Sequence, residues 1–167
     1  MDEFMKHFDY LIAEIKRVMI PGREVAVHCV DLLSTKWKHG SIQLQDFSGE
    51  IIRAFWNHGF LFHSRITIWK SPVTEMQRTK AHGLLYKTLK KGSSSSRVGV
   101  PDYLLVFRAP GESAVPVTKK ESDYSVDWWQ EVASPVWMTV DQGRVLNKDG
   151  ARVHADEKHI CPLQLDV

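Results

Sequence analysis

The chain has 167 residues, a formal net charge of +2 and a charged fraction of 25%. This length and composition suit one globular domain with a hydrophobic core. No run approaches the roughly 20 apolar residues of a membrane span, and two cysteines do not make a disulfide framework. The small net charge does not by itself indicate nucleic-acid binding, so we expect a soluble cytoplasmic protein with reduced thiols.

The first part of the chain alternates between helical and strand-like patterns. Apolar residues at helical spacing predict an amphipathic helix over residues 4–18, which Pro21 and Gly22 end. Residues 24–30 are apolar and rich in β-branched side chains, which predicts a strand buried on both faces of a parallel sheet. Asp46 can cap a second helix that runs to about residue 57.

Two more strands follow. Residues 60–69 alternate in the way expected of a strand, and residues 103–107 form a further apolar stretch. This order of helices and strands predicts a layered α/β fold. In the first of these strands, the side chains predicted to face the core are those of Phe60, Phe62, Ser64, Ile66 and Ile68.

The connection between these two strands is unusually long, which favours a functional segment. It contains a possible helix over residues 73–90 and a serine run expected to be flexible. A basic stretch without acidic residues could neutralise phosphates, although a solvated basic loop is an equally good interpretation. The basic residues are Arg78, Lys80, Lys87, Lys90, Lys91 and Arg97.

The region after Gly111 has a different character, with weak periodicity and many polar residues. It contains an aromatic cluster made of Tyr124, Trp128, Trp129 and Trp137. We predict that the three tryptophans form the core of a small appended module and do not serve as stacking platforms, because large aromatic residues favour burial.

Common catalytic motifs are absent from the sequence. There is no nucleophile elbow, no phosphate-binding glycine loop, and no histidine spacing typical of a metal site. His28 fits a histidine in the core or at the edge of the sheet, and His58 fits the end of a helix. The residues alone therefore predict no catalytic residue and no metal ligand.

Four segments, taken in order, resemble the middle of an S-adenosylmethionine-dependent DNA amino-methyltransferase, which modifies adenine N6 or cytosine N4. They are residues 4–30, 46–70, 101–111 and 157–164. The likeness is to the class whose catalytic motif precedes the cofactor motif, and it is nearest to phage and prophage enzymes of restriction-modification type. It implies a partial Rossmann-like α/β methyltransferase sheet with an inserted basic segment and a small target-recognition module.

The same resemblance implies a division of the chain and a role for each part. Residues 1–111 would form the partial core, with the basic insertion at 71–100, residues 112–158 the target-recognition module, and residues 159–167 the start of the cofactor pocket. The implied DNA contacts are Gln77, Arg78, Lys80, Lys87, Lys90, Lys91 and Arg97, and the implied cofactor contacts are His159 and Pro162.

The sequence departs from these enzymes in two motifs. It contains no Pro-Pro-Tyr or Pro-Pro-Phe loop to hold the target amine and no glycine-rich loop for S-adenosylmethionine. We therefore expect a DNA-recognition and scaffold part of a methyltransferase that is inactive alone and binds no cofactor alone. Double-stranded DNA is the expected partner, and the missing methyltransferase portion, a host protein or a second copy are further candidates; a membrane is not.

Two other interpretations remain at this point. The chain could be a non-enzymatic, degenerate methyltransferase-like protein of phage origin that binds DNA or inhibits a host defence protein. It could also be an ordinary α/β domain without either role.

Overall fold

A computed structural model describes residues 2–34, 36–79, 82–92, 96–115, 117–141, 143–144 and 167. The first half contains α1 (Asp2–Val18), β1 (Glu24–Val30), β2 (Leu32–Leu33), α2 (Lys36–His39), β3 (Leu44–Gln45), α3 (Phe47–Asn57) and β4 (Leu61–Ile68). The second half contains α4 (Pro72–Thr79), a 3-10 turn (His82–Leu84), α5 (Tyr86–Lys90), β5 (Asp102–Arg108), a 3-10 turn (Glu121–Asp123), α6 (Val126–Val132) and β6 (Val136–Trp137). None of the described helices is long and apolar enough to cross a membrane.

The main sheet has the strand order β1-β5-β4-β6. Strand β5, the last of the three long strands along the chain, lies between the other two and is antiparallel to both. The short strand β6 pairs parallel to β4 and brings a piece of the region after Gly111 into the sheet. The predicted α/β class is confirmed.

The prediction that β1 is buried in a parallel sheet is wrong. In the described part of the chain it is the outermost strand and pairs antiparallel with β5. Glu24, Ala26 and His28 are exposed, whereas Val25, Val27 and Cys29 turn toward the core. An apolar run does not reveal whether one or both faces of a strand are covered, which explains the error.

Helices α1 and α3 cover one face of the sheet and form the core with it. Ile12 from α1, Phe55 from α3 and Phe107 from β5 are completely buried. The rings of Phe55 and Phe107 stack with their centroids 4.0 Å apart. Asp46 caps α3 as predicted, because its carboxylate accepts a hydrogen bond of 2.8 Å from the amide of Gly49.

Strand β4 contains a bulge that the alternation pattern did not reveal. The register shifts between Phe62, which lies opposite Phe107, and Ser64. Directly opposite residues share one face of an antiparallel sheet, so Arg65, opposite Leu105, lies on the face of the core. The prediction that this set faces the core is confirmed for Phe60 and Phe62. It is wrong for Ser64, Ile66 and Ile68, which lie on the other face although they are buried or partly buried.

The predicted helix over residues 73–90 is interrupted. Helix α4 ends at Thr79, and α5 begins at Tyr86 after a 3-10 turn. Glycine is a poor helix former, and the carbonyl of Gly83 accepts a hydrogen bond of 3.0 Å from the amide of Arg97. This contact ties the turn to the chain that leads into β5. Most of the predicted serine run lies outside the described residues.

The prediction that the three tryptophans after Gly111 form a buried core is wrong for two of them. The exposed fractions are 45% for Trp128 and 61% for Trp129, and Tyr124 of the same cluster is 43% exposed. These side chains belong to or adjoin the seven-residue helix α6, which has no buried residue. Trp137 is partly buried, and its indole Nε1 donates a hydrogen bond of 3.2 Å to the carbonyl of Val132.

Candidate nucleic-acid interface

The basic segment presents three lysines on and beside α5. Lys87, Lys90 and Lys91 are exposed, and their spacing of three and four residues places them on one side of the helix. The ammonium of Lys90 lies 5.9 Å from the ring centre of Tyr86, which is 72% exposed. This arrangement combines three cationic groups with an accessible aromatic ring, a combination suited to phosphates and bases.

The other predicted DNA contacts before α5 are less completely described. Gln77 is exposed on α4. The side chain of Arg78 and the whole of Lys80 lie outside what the structure describes. Their role in binding DNA stays a prediction.

Arg97 differs from the lysines because it forms a partly buried ion pair. Its guanidinium lies 2.8 Å from Glu75 Oε1 and donates a hydrogen bond of 2.7 Å to the carbonyl of Val98. Glu75 Oε2 also accepts a hydrogen bond of 2.9 Å from the amide of Val100. Arg97 and Glu75 therefore connect α4 to the residues just before β5. A DNA contact by Arg97 stays a prediction.

Sequence reasoning missed Glu75 because it lies before the basic stretch. Glu75 and Arg97 are 22 residues apart in the sequence, and no sequence pattern predicts a contact between residues that far apart. The absence of acidic residues from 78 to 97 suggested free cations throughout, but one acid from α4 neutralises Arg97.

An open groove with a volume of about 350 Å³ lies beside this ion pair. The hairpin of β2 and β3 supplies Leu33 and Leu44, and the chain entering β5 supplies Arg97, Val100 and Tyr103. The groove lies where β1 and β4 end, the side of an α/β sheet on which ligands generally bind. No sequence motif marked it, since its lining comes from separate segments.

A buried carboxylate at the same end of the sheet is held by a lysine and a histidine. Asp102 is 6% exposed; its Oδ2 lies 3.2 Å from His28 Nε2 and its Oδ1 lies 2.5 Å from Lys70 Nζ. Burial alone would raise the pKa of Asp102, but His28 and Lys70 outweigh burial and lower it. His28 lies on the outermost strand of the described sheet, which is one of the two predicted locations.

Cys29 is not available as a nucleophile. Burial, with smaller contributions from Asp31 and Asp102, raises the pKa of its thiol to about 12. A protonated thiol is a poor nucleophile and metal ligand. Among the described residues, no group of three or more His, Cys, Asp or Glu side chains is arranged to hold a metal ion.

His159 and Pro162, the predicted cofactor contacts, lie outside the described residues. The sequence has no G-x-G-x-x-G loop that could cradle a nucleotide-like group.

No family model matches the chain, and no curated protein matches it. Among solved structures, it is similar to a candidate DNA modification methylase from Thermus thermophilus complexed with S-adenosyl-L-methionine. The TM-score is 0.64 and the identity 14%, over 83% of this chain and 51% of that chain. The chain has a methyltransferase-like α/β fold.

Two further structures of the same methylase give the same result. Its selenomethionine derivative matches with a TM-score of 0.61, and a third structure with 0.62, both at 15% identity and 83% coverage of this chain. The chain spans about half the length of these solved structures, 51% and 50% of theirs. At this identity, the similarity concerns the fold alone.

Proposed function

We propose that the chain is the DNA-recognition and scaffold part of a site-specific DNA methyltransferase that modifies adenine N6 or cytosine N4. The observation that carries this proposal is the fold, which resembles that of a candidate DNA modification methylase over 83% of the chain. The neighbour was solved with S-adenosyl-L-methionine, which is the methyl donor we propose for the complete enzyme. The chain alone is proposed to be catalytically silent.

The three exposed lysines on and beside α5 support a role in binding DNA. Methylation of an exocyclic amine requires the base to leave the stack, and the enzyme must hold the duplex through its phosphates meanwhile. Lys87, Lys90 and Lys91 are exposed on one side of a helix and are proposed to bind phosphates of double-stranded DNA. Gln77, Arg78 and Lys80 complete the proposed surface, while the Glu75–Arg97 pair positions it.

Catalysis would need groups from another portion of a methyltransferase. The Pro-Pro-Tyr and glycine-rich motifs are absent from the sequence, so the target amine and the cofactor have no assigned ligands here. His159 and Pro162 are proposed to border the cofactor only in the complete assembly. A methyl-transfer assay with labelled S-adenosylmethionine should give no incorporation into DNA; incorporation by this chain alone would contradict the proposed silence.

The DNA-binding role is tested with a triple variant in which Lys87, Lys90 and Lys91 become Gln. A matched control changes Lys6, Arg17 and Arg53 on α1 and α3 to Gln, which removes the same number of charges elsewhere. If each lysine neutralises one phosphate, the dependence of log K on log salt should fall by about 0.9 per lost contact. The control should retain the wild-type slope.

Two results would contradict the proposal that Lys87, Lys90 and Lys91 contact DNA. Equal affinity and salt dependence for the lysine variant and the wild type would exclude α5 as the contact. An equal loss in the control variant would mean that total charge, and not the position of the lysines, governs binding. Circular dichroism spectra of both variants establish that the fold is retained.

A further inference from the structure

The hairpin of β2 and β3 is a hydrogen-bonded arm that leaves the sheet directly after β1. Its two short strands pair antiparallel, and Ser34, which is 3% exposed, closes the stem beyond them. The amide of Ser34 donates a hydrogen bond of 2.9 Å to the carbonyl of Gln43. The hydroxyl of Ser34 accepts one of 2.9 Å from the amide of Gln43 and donates one of 3.0 Å to the carbonyl of Ser41. This stem fixes the base of the arm.

The tip of the hairpin (residues 36–40) presents a tryptophan. It consists of the short helix α2 and Gly40, whose amide donates a hydrogen bond of 2.8 Å to the carbonyl of Lys36. Trp37 is 95% exposed, and Lys36 and His39 beside it are also exposed. Because the indole buries almost no surface in the described chain, the hydrogen bonds of the hairpin hold it in place. The ring is therefore presented to a partner.

The charge around Trp37 indicates the chemistry of this partner. Residues 32–45 contain two lysines and a histidine but neither aspartate nor glutamate. The exposed tryptophans of α6 have the opposite surroundings, since that helix carries Asp127 and Glu131 and no basic residue. Phosphates attract cationic groups, and bases stack on indole rings. A nucleic acid offers both contacts together, whereas an apolar polypeptide surface would remove the lysines from water without pairing them.

The hairpin and the basic segment leave the sheet at the same end. Strands β1 and β4 are both antiparallel to β5, so they run in the same direction and end on the same side. The hairpin follows β1, and α4 and α5 follow β4. The two segments also line one groove, to which the hairpin contributes Leu33 and Leu44 and the chain entering β5 contributes Arg97 and Val100. A duplex bound at this end of the sheet can contact both.

We propose that Trp37 inserts into double-stranded DNA and fills the space left by an extruded base, while Lys36 binds a neighbouring phosphate. This inference rests on the proposed DNA-recognition role and adds a residue that stabilises the distorted duplex. Extrusion of a base costs unstacking energy, and side chains that insert between base steps occur in proteins that distort DNA. Stacking of the indole on the bases beside the gap offsets part of that cost.

The test is fluorescence anisotropy with two labelled duplexes that differ by a single abasic position at the centre, which imitates the gap. The wild-type chain should bind the abasic duplex at least about fivefold more tightly than the intact one. Trp37→Ala should bind the two duplexes with equal affinity. Its salt dependence should equal that of the wild type, because the substitution removes no charge.

Two further variants control for the loss of an aromatic side chain. Trp129→Ala removes a tryptophan that is 61% exposed on α6, and it should keep the wild-type preference for the abasic duplex. Trp37→Phe retains an aromatic ring at the tip and should keep part of the preference. Circular dichroism spectra of all three variants establish that the fold is retained.

The outcomes separate this inference from the DNA-recognition role. Absence of binding to either duplex by the wild type would contradict both. Equal affinity of the wild type for the two duplexes would overturn the insertion of Trp37 alone, as would an equal loss of preference in Trp129→Ala. A preference retained by Trp37→Ala would also overturn it and would favour a polypeptide partner for the hairpin tip.

Discussion

Glu75 is the residue on which the geometry of the basic segment most depends. It pairs with Arg97 and accepts the amide of Val100, and its side chain is 11% exposed. Breaking a partly buried pair leaves a charge without its partner. Glu75→Ala should therefore lower the free energy of unfolding by about 2 kcal/mol in urea denaturation.

The matched control for this change is Glu14→Ala. Glu14 forms an ion pair of 2.7 Å with Arg17, but the two side chains are 62% and 68% exposed. Exposed pairs contribute little to stability, so the urea midpoint should not change measurably. A loss in Glu75→Ala no larger than in this control would contradict the anchoring role.

Protonation of Asp102 should make the free energy of unfolding depend on pH in the acidic range. Its pKa is lowered in the folded chain by His28 and Lys70, so its contribution is complete above the unfolded pKa of about 3.9 and is lost as pH falls through the folded value. Asp102→Asn should be less stable than the wild type at pH 7. The difference between the two should shrink as urea unfolding is repeated at pH 5, 4 and 3, and a constant difference would contradict this assignment.

At the scale of elements, the turn before β1 is closely packed. Gly22 has a φ of +76°, and a Cβ there would lie 2.9 Å from the amide nitrogen of Ser113 and 3.1 Å from the carbonyl oxygen of Gly111. Gly40 has a similar φ of +75° but no atom within 4 Å of its Cβ position. Gly40→Ala should cost about 1 kcal/mol for the left-handed backbone alone.

Gly22→Ala should lower the free energy of unfolding by clearly more than Gly40→Ala does, because it adds a collision with backbone atoms to the same conformational penalty. Thermal unfolding of the two variants makes the comparison. Equal losses of stability in the two variants would contradict the close packing of the Gly22 turn against Gly111. That packing would then not determine where β1 begins.

Helix α6 contributes aromatic surface and little core. Trp129 is 61% exposed, whereas Phe55 is completely buried against Phe107. Trp129→Ala should change the free energy of unfolding by less than about 0.5 kcal/mol, and Phe55→Ala should cost about 3 to 5 kcal/mol. A large loss in Trp129→Ala, measured by urea denaturation, would contradict the exposed position of this ring.

Elements with a strong period were predictable, and those fixed by distant contacts were not. Helices α1 and α3 and the long strands lie close to their predicted positions, since each has its own apolar residues. The bulge after Phe62 depends on pairing with β5, and the break at Gly83 depends on a bond from Arg97. Strand β6 has two residues, too few for any period.

At the scale of the whole molecule, the ordered segments predicted the fold better than they predicted the site. The resemblance indicated a methyltransferase sheet, and the similarity to a candidate DNA modification methylase supports that fold with a TM-score of 0.64. The candidate site was predicted only in part. Lys87, Lys90 and Lys91 are exposed as a phosphate-binding surface requires, but the pairing of Arg97 and the groove beside it arise from tertiary contacts.

The most direct test of the account is fluorescence anisotropy of a labelled DNA duplex, titrated with the wild-type chain over a series of salt concentrations. We predict binding at low salt that weakens steeply as salt increases, with a slope corresponding to about three or more phosphate contacts. Absence of binding at low salt, or an affinity that does not depend on salt, would contradict the DNA-recognition role of this chain.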